Sequence, residues 1–194
     1  MLRRTLLRSR RTTIPGIAVT VVLAGLAATV DARTSPDPPT VAAVDLERYQ
    51  GTWFELGRLP FRFQRQCVSD VTAEYVLRGD GRVDVINACV KADGAVDRAK
   101  GIARVVSRDG SNSKLEVRFA PAFLSFISAV WGDYWILDLA PDYSTALVGT
   151  PDRRYLWVLA RSADVGGERY AALLARAASL GYDVDRVVPT RHTR

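Results

Sequence analysis

Gly51-Thr52-Trp53-Phe54-Glu55-Leu56-Gly57 opens the folded part of this chain, and Tyr155-Leu156-Trp157-Val158-Leu159-Ala160-Arg161 closes it about a hundred residues later. Both are apolar runs of strand length with a Trp inside. The sequence between them breaks into more runs of the same kind, separated by turns. Arg78-Gly79-Asp80-Gly81-Arg82 is a strong hairpin signal, because its glycines can take positive φ. Asp93-Gly94, Arg108 to Ser113 and Pro141-Asp142-Tyr143 are further corners.

Outward from the opening stretch, eight strands are expected: Gly51–Leu59, Val71–Leu77, Val83–Cys89, Val96–Ser107, Lys114–Phe119, Asp133–Leu139, Thr145–Thr150 and Tyr155–Arg161. Short connections without crossover helices make sequential neighbours antiparallel. The fold class is all-β, an eight-stranded antiparallel up-and-down β-barrel, with room for one small ligand. After the last strand the period lengthens. Tyr170, Leu173, Leu174, Ala177 and Leu180 share one helical face, and Gly181 ends it, so a C-terminal α-helix over Glu168–Leu180 packs on the barrel wall. Val184–Val188 adds a short strand before a polar tail.

Composition bounds the function. The chain has 194 residues, 48% of them hydrophobic and 25% charged, which is globular usage. Its net charge of +6 is concentrated at the start, where residues 1–32 hold five Arg and one acid; the rest has 22 basic and 20 acidic residues. Nucleic acid is therefore not an expected partner. Arg3, Arg4, Arg8, Arg10 and Arg11, followed by the 14-residue, largely apolar region Ile17 to Val30 and by Val30-Asp31-Ala32, have the parts of an export signal peptide over 1–32, with Ser9-Arg10-Arg11 a twin-Arg candidate. An uncleaved anchor helix is the alternative. No Cys follows the apolar run, so lipidation there is not expected. Residues 33–43, rich in Pro, read as a linker, and 44–194 as the barrel domain with its helix and tail. Cys67 and Cys89 are the only cysteines, and an even pair in an exported chain favours a disulfide over two unpaired thiols.

Three motifs in order, Gly51-x-Trp53, Asp142-Tyr143 and the terminal Arg161, together with the barrel-then-helix layout, resemble the lipocalin family, and within it the bacterial group close to apolipoprotein D. The resemblance covers about Val44 to Pro189. It implies binding, transport or storage of fatty acids or lysophospholipids in the barrel, serving the cell envelope from a periplasmic or secreted location, without a cofactor or metal. Alternation of loops puts the start of the first strand, the Tyr143 turn and the end of the last strand at one end. There Trp53 plugs the barrel and Arg161 stacks over it. The resemblance places Tyr75, Asn87 and Trp157 inward. Strand parity then adds Gly57, Leu59, Ala73, Val85, Leu159 and Tyr155, and Glu55 either points inward with them, bonded to Tyr or Asn neighbours or to a ligand hydroxyl, or faces solvent near the rim. Trp135 and Val148 are chosen on their strands. The expected ligand set is Glu55, Tyr75, Val85, Asn87, Trp135, Val148, Tyr155 and Trp157.

At the opposite end Phe61, Phe63, Phe123, Phe126, Ile127 and Trp131 form an apolar rim, flanked by Arg62 and Arg65. It is read as a peripheral membrane contact or a homodimer surface, or else as a loop folded inward to cap the barrel. An enzyme of lipocalin type acting on a small hydrophobic ligand, through Glu55 or a free Cys, is the competing class. His192 is the one His, in a polar tail, and gives little support to a haem carrier. No catalytic set with Ser, His and Asp and no phosphate loop is present.

Overall fold

The computed structural model describes residues 36–193; the export signal and the first residues of the linker lie outside them. A short helix, α1 (Leu46–Tyr49), leads into β1 (Gly51–Arg58). The strands β2 (Cys67–Leu77), β3 (Val83–Lys91), β4 (Val96–Val105), β5 (Lys114–Arg118), β6 (Gly132–Leu139), β7 (Thr145–Gly149) and β8 (Leu156–Ala160) follow, and then α2 (Gly167–Ser179) and the two-residue β9 (Val188–Pro189). Each strand pairs antiparallel with the next, and β8 returns to β1, which also pairs β2, so the sheet is a closed barrel. β2 starts at Cys67, four residues before the expected Val71, because the disulfide and a ladder to β3 hold its first residues in extended form.

Two apolar cores share one wall. The inner core fills the barrel from Trp53, Tyr49, Tyr75, Val83, Val85, Ala103, Leu115, Ile136, Ala146, Val148 and Leu159. The outer core lies between α2 and the wall: Leu56, Leu59, Trp135, Leu137, Leu147, Leu156 and Val158 meet Leu173, Ala177, Leu180 and Tyr182. β7 is buried along its whole length, which explains why Thr145-Ala146-Leu147-Val148-Gly149 shows no polar alternation.

The closed end follows from local chemistry. Gly51 has φ +86°, a conformation that glycine adopts without a Cβ penalty. Asp45 caps α1 by accepting from the amides of Glu47 and Arg48. Trp53 is fully buried, and its indole N–H donates to Tyr49 O at 2.9 Å. The Arg161 guanidinium lies 4.0 Å from the Trp53 ring centroid and donates to the carbonyls of Thr52, Arg48 and Tyr49. Tyr143 joins this end by accepting from Asp45 N and by lying under Arg48, while Asp142 accepts from Ser144 to shape the turn.

The linker and the tail add contacts to the barrel. The described part of the linker, residues 36–43, runs along the barrel. Pro38 is buried, Val41 N donates to Ile136 O, and Arg153 donates to Pro36 O, so the segment is packed on the barrel. The polar tail is likewise docked. β1 pairs β2 only through Gly51–Phe54, and above that point β9 pairs Gly57 and Arg58. Thr190 N then donates to Leu56 O, Asp70 N donates to Arg191 O, and Thr193 N donates to Asp70 Oδ1. The tail thus bridges the open upper seam between β1 and β2.

Candidate functional site

The inner face divides into two halves. In the lower half, Tyr49, Tyr134 and Tyr75 form a hydroxyl chain, with Tyr134 bonded to Tyr49 at 2.9 Å and to Tyr75 at 2.8 Å. Burial pushes all three hydroxyls up, Tyr75 to about 12, so they stay neutral and pair with each other. Their rings, with Val83, Val85, Leu115 and Ile136, leave a cavity of only about 20 Å³, about the space of one water. This half is filled.

The upper half is different. Ala73, Asn87, Ala99 and Gly101 are cross-strand neighbours on the inner face of β2, β3 and β4, yet none is fully buried and Ala99 is exposed. The barrel is open to solvent there. Gly101 makes room for Phe119, since a Cβ on it would come within 2.8 Å of that ring. On the facing wall Phe61 packs edge-on against Tyr155 at 4.9 Å and Trp157 at 5.5 Å. Below these aromatics runs a polar girdle. Glu55, 2% exposed, accepts from Arg58 Nη1 at 2.6 Å, Gln64 Nε2 at 2.8 Å and Thr190 Oγ1 at 2.6 Å. Trp157 Nε1 donates to Gln64 Oε1 at 3.1 Å. Three donors on one carboxylate satisfy the charge that burial would otherwise penalise.

Of the expected ligand set, Tyr75 and Val85 line the filled half, Val148 belongs to the inner core opposite Trp157, Asn87, Tyr155 and Trp157 lie on the inner face of the open half, and Glu55 is buried in the girdle beneath them. Trp135 must be corrected. It belongs to the outer core, under Lys114, and the inward residues of β6 are Tyr134 and Ile136. The run Tyr134-Trp135-Ile136-Leu137 is apolar on both faces, so its phase is invisible to parity, and a shift by one residue exchanges the faces. Gly57 and Leu59 are corrected too. A bulge between Glu55 and Gly57 shifts the register of β1 against β8, so Arg58, opposite Trp157, turns inward instead. Leu59 joins the outer core, and a Cβ on Gly57 would lie 2.5 Å from Tyr170 Oη of α2. A glycine inside a strand signals a bulge, and Gly57 was that signal. Tyr134, Arg58, Gln64 and Phe119 are the inner residues that sequence reasoning missed.

The rim also changes. Phe63, Phe123 and Phe126 project with 62%, 73% and 82% of their surface exposed, and Ile127 is partly exposed. Phe61 faces the aromatic wall rather than solvent. Trp131 lies 4.1 Å from the Arg104 guanidinium and 5.2 Å from that of Arg118, measured to its ring centroid, and donates its N–H to Ser125 O. Cys67 and Cys89 form a disulfide, so neither is a free nucleophile and that form of the enzyme reading falls away. His192 bonds Glu55 O through Nε2 and stacks edge-on with Phe54, an anchoring role in the seam. Among the described residues no cluster of His, Cys, Asp or Glu has the geometry to hold a metal.

Comparison with known proteins supplies the family. A profile described as a lipocalin-like domain matches residues 44–192. Temperature-induced lipocalin-1 of Arabidopsis thaliana is 38% identical over 151 residues, covering 77% of this chain and 80% of that one. The outer membrane lipoprotein Blc of Escherichia coli K12 is 35% identical over 173 residues, covering 87% and 93%. Insecticyanin of the tobacco hornworm Manduca sexta superposes with a TM-score of 0.63 at 19% identity, covering 82% of this chain and 86% of that one, a likeness of fold.

Proposed function

The chain belongs to the lipocalin family, and from that premise we propose that it is a carrier for a lipid with one acyl chain and a polar head, a fatty acid or lysophospholipid, held in the upper half of the barrel. The observation that carries this reading is the division of the inner face. Tyrosines fill the lower half, whereas on the inner face of the upper half Ala99 is exposed and Asn87 is only partly buried, opposite Phe61, Tyr155 and Trp157. An apolar, aromatic wall with a few convergent polar groups suits an amphipathic ligand. The basic and apolar start of the sequence supports export, and similarity to an outer membrane lipoprotein supports a place in the cell envelope. Phe63, Phe123 and Phe126 at the rim support a peripheral contact with a membrane during loading; a homodimer through the same rim is the second reading of these side chains.

The carrier reading is tested by native mass spectrometry of the protein purified without detergent, followed by lipid extraction. A single fatty acid or lysophospholipid per chain is expected; protein that stays free of adducts after incubation with both classes contradicts it. Flotation with vesicles tests the rim. A Phe123→Ser/Phe126→Ser variant is expected to lose flotation, and retention at the wild-type level contradicts membrane contact.

A further inference from the structure

Arg58 is unlike its partners in the girdle. Both oxygens of Glu55 are occupied, by Arg58, Gln64 and Thr190. The guanidinium has five N–H donors but, among the described residues, only two acceptors: Glu55 Oε1 at 2.6 Å and the Gln64 carbonyl at a long 3.4 Å. Its Nε is buried and has no partner among the described residues, and the side chain as a whole is 12% exposed. A buried donor without an acceptor is costly and uncommon. The bulge that brings Arg58 to the inner face also sets it opposite Trp157, whose ring carries Phe61. The cluster therefore combines a satisfied carboxylate with an unsatisfied, fork-shaped cation on the wall of the open half.

We propose that Arg58 receives the acidic head of the bound lipid, a carboxylate or phosphate, and that Glu55 is the internal counter-ion that holds the guanidinium in place when no head is present. The planar fork suits two acceptor oxygens on one acid group through Nε–H and Nη2–H, while Nη1 remains on Glu55. Glu55 keeps the girdle neutral before loading, which limits the cost of an inward charge. The acyl chain then lies along the apolar wall toward Phe119 and Ala99. The inference rests on the carrier reading and adds the residue that selects acid-headed ligands.

The test compares oleate with oleyl alcohol, which share a chain and differ in the head, by quenching of tryptophan fluorescence. Wild-type protein is expected to prefer oleate, and the ratio of the two affinities is expected to fall about tenfold in Arg58→Gln, the worth of a charge-assisted hydrogen bond. Arg58→Lys keeps a charge but not the fork and falls between them. An unchanged ratio in Arg58→Gln overturns the assignment, as does a wild type that binds both ligands equally. A folded wild type that binds neither overturns the carrier reading itself. Should Arg58→Gln fail to fold, the Glu55→Gln/Arg58→Gln double variant removes both charges together and is read by the same ratio. Inorganic phosphate serves as competitor: oleate affinity unchanged at millimolar phosphate supports a lipid head, and displacement by micromolar phosphate overturns it in favour of a free ion.

Discussion

At the scale of residues, the closed end depends on one ring and one guanidinium. Trp53 is fully buried and Arg161 covers it while donating to three carbonyls. Trp53→Ala is expected to cost about 3–5 kcal/mol in denaturant unfolding, as large core truncations do. Arg161→Lys keeps the charge but loses the planar stack and the multiple donors, and is expected to cost about 1–2 kcal/mol. The tyrosine chain makes a separate prediction. Tyr134→Phe strands the hydroxyls of Tyr49 and Tyr75, at about 1–3 kcal/mol. Burial raises the Tyr75 hydroxyl to about 12 against an ordinary 10. The folded state therefore holds its proton more tightly, and the resulting stability, present below pH 10, is lost as pH rises from about 10 to about 12. Tyrosinate absorbance during alkaline titration should rise together with unfolding; free titration of every tyrosine in a folded protein would contradict this burial.

At the scale of elements, the tail and the bulge on β1 shape the open half. Hydrogen bonds from Ser69 and then from the Thr193 N–H hold the Asp70 carboxyl down to about 2. A carboxyl lowered by folding stabilises above its ordinary value near 4, and that contribution is lost as pH falls from about 4 to about 2. The acid-side decline in melting temperature should accordingly be shallower in Asp70→Asn than in wild type; identical slopes would mean that the tail bonds add nothing. Truncation after Val188 should speed hydrogen exchange at the amide of Asp70 while leaving β7 protected. Strand number, order and the terminal helix were legible because hairpin glycines and the change of period mark them in the sequence. Facing direction was legible only where one face is wet. It failed on β6, where both faces are buried, and beyond Glu55, where the bulge at Gly57 reverses the alternation. On β6 Tyr134 and Ile136 face inward in place of Trp135, and on β1 Arg58 does so in place of Gly57 and Leu59.

At the scale of the molecule, the barrel is two containers stacked in one wall. One is filled with aromatic side chains and closed by Trp53 and Arg161, and the other is open toward the Phe-bearing rim. The Cys67–Cys89 bridge ties the start of β2 to β3 on the open side. The three motifs at the closed end were readable as sequence, since each is local. The site was less readable, since Arg58, Gln64 and Thr190 meet Glu55 only after the loop and the tail have folded back across it. The most direct measurement is native mass spectrometry of oleate binding to wild type and to Ala99→Trp, which fills the open half from an exposed inner-face position opposite Asn87. Wild type should take one oleate per chain and the variant none, with both equally folded. An oleate adduct that persists in Ala99→Trp would contradict a lipid site in the upper half of this barrel.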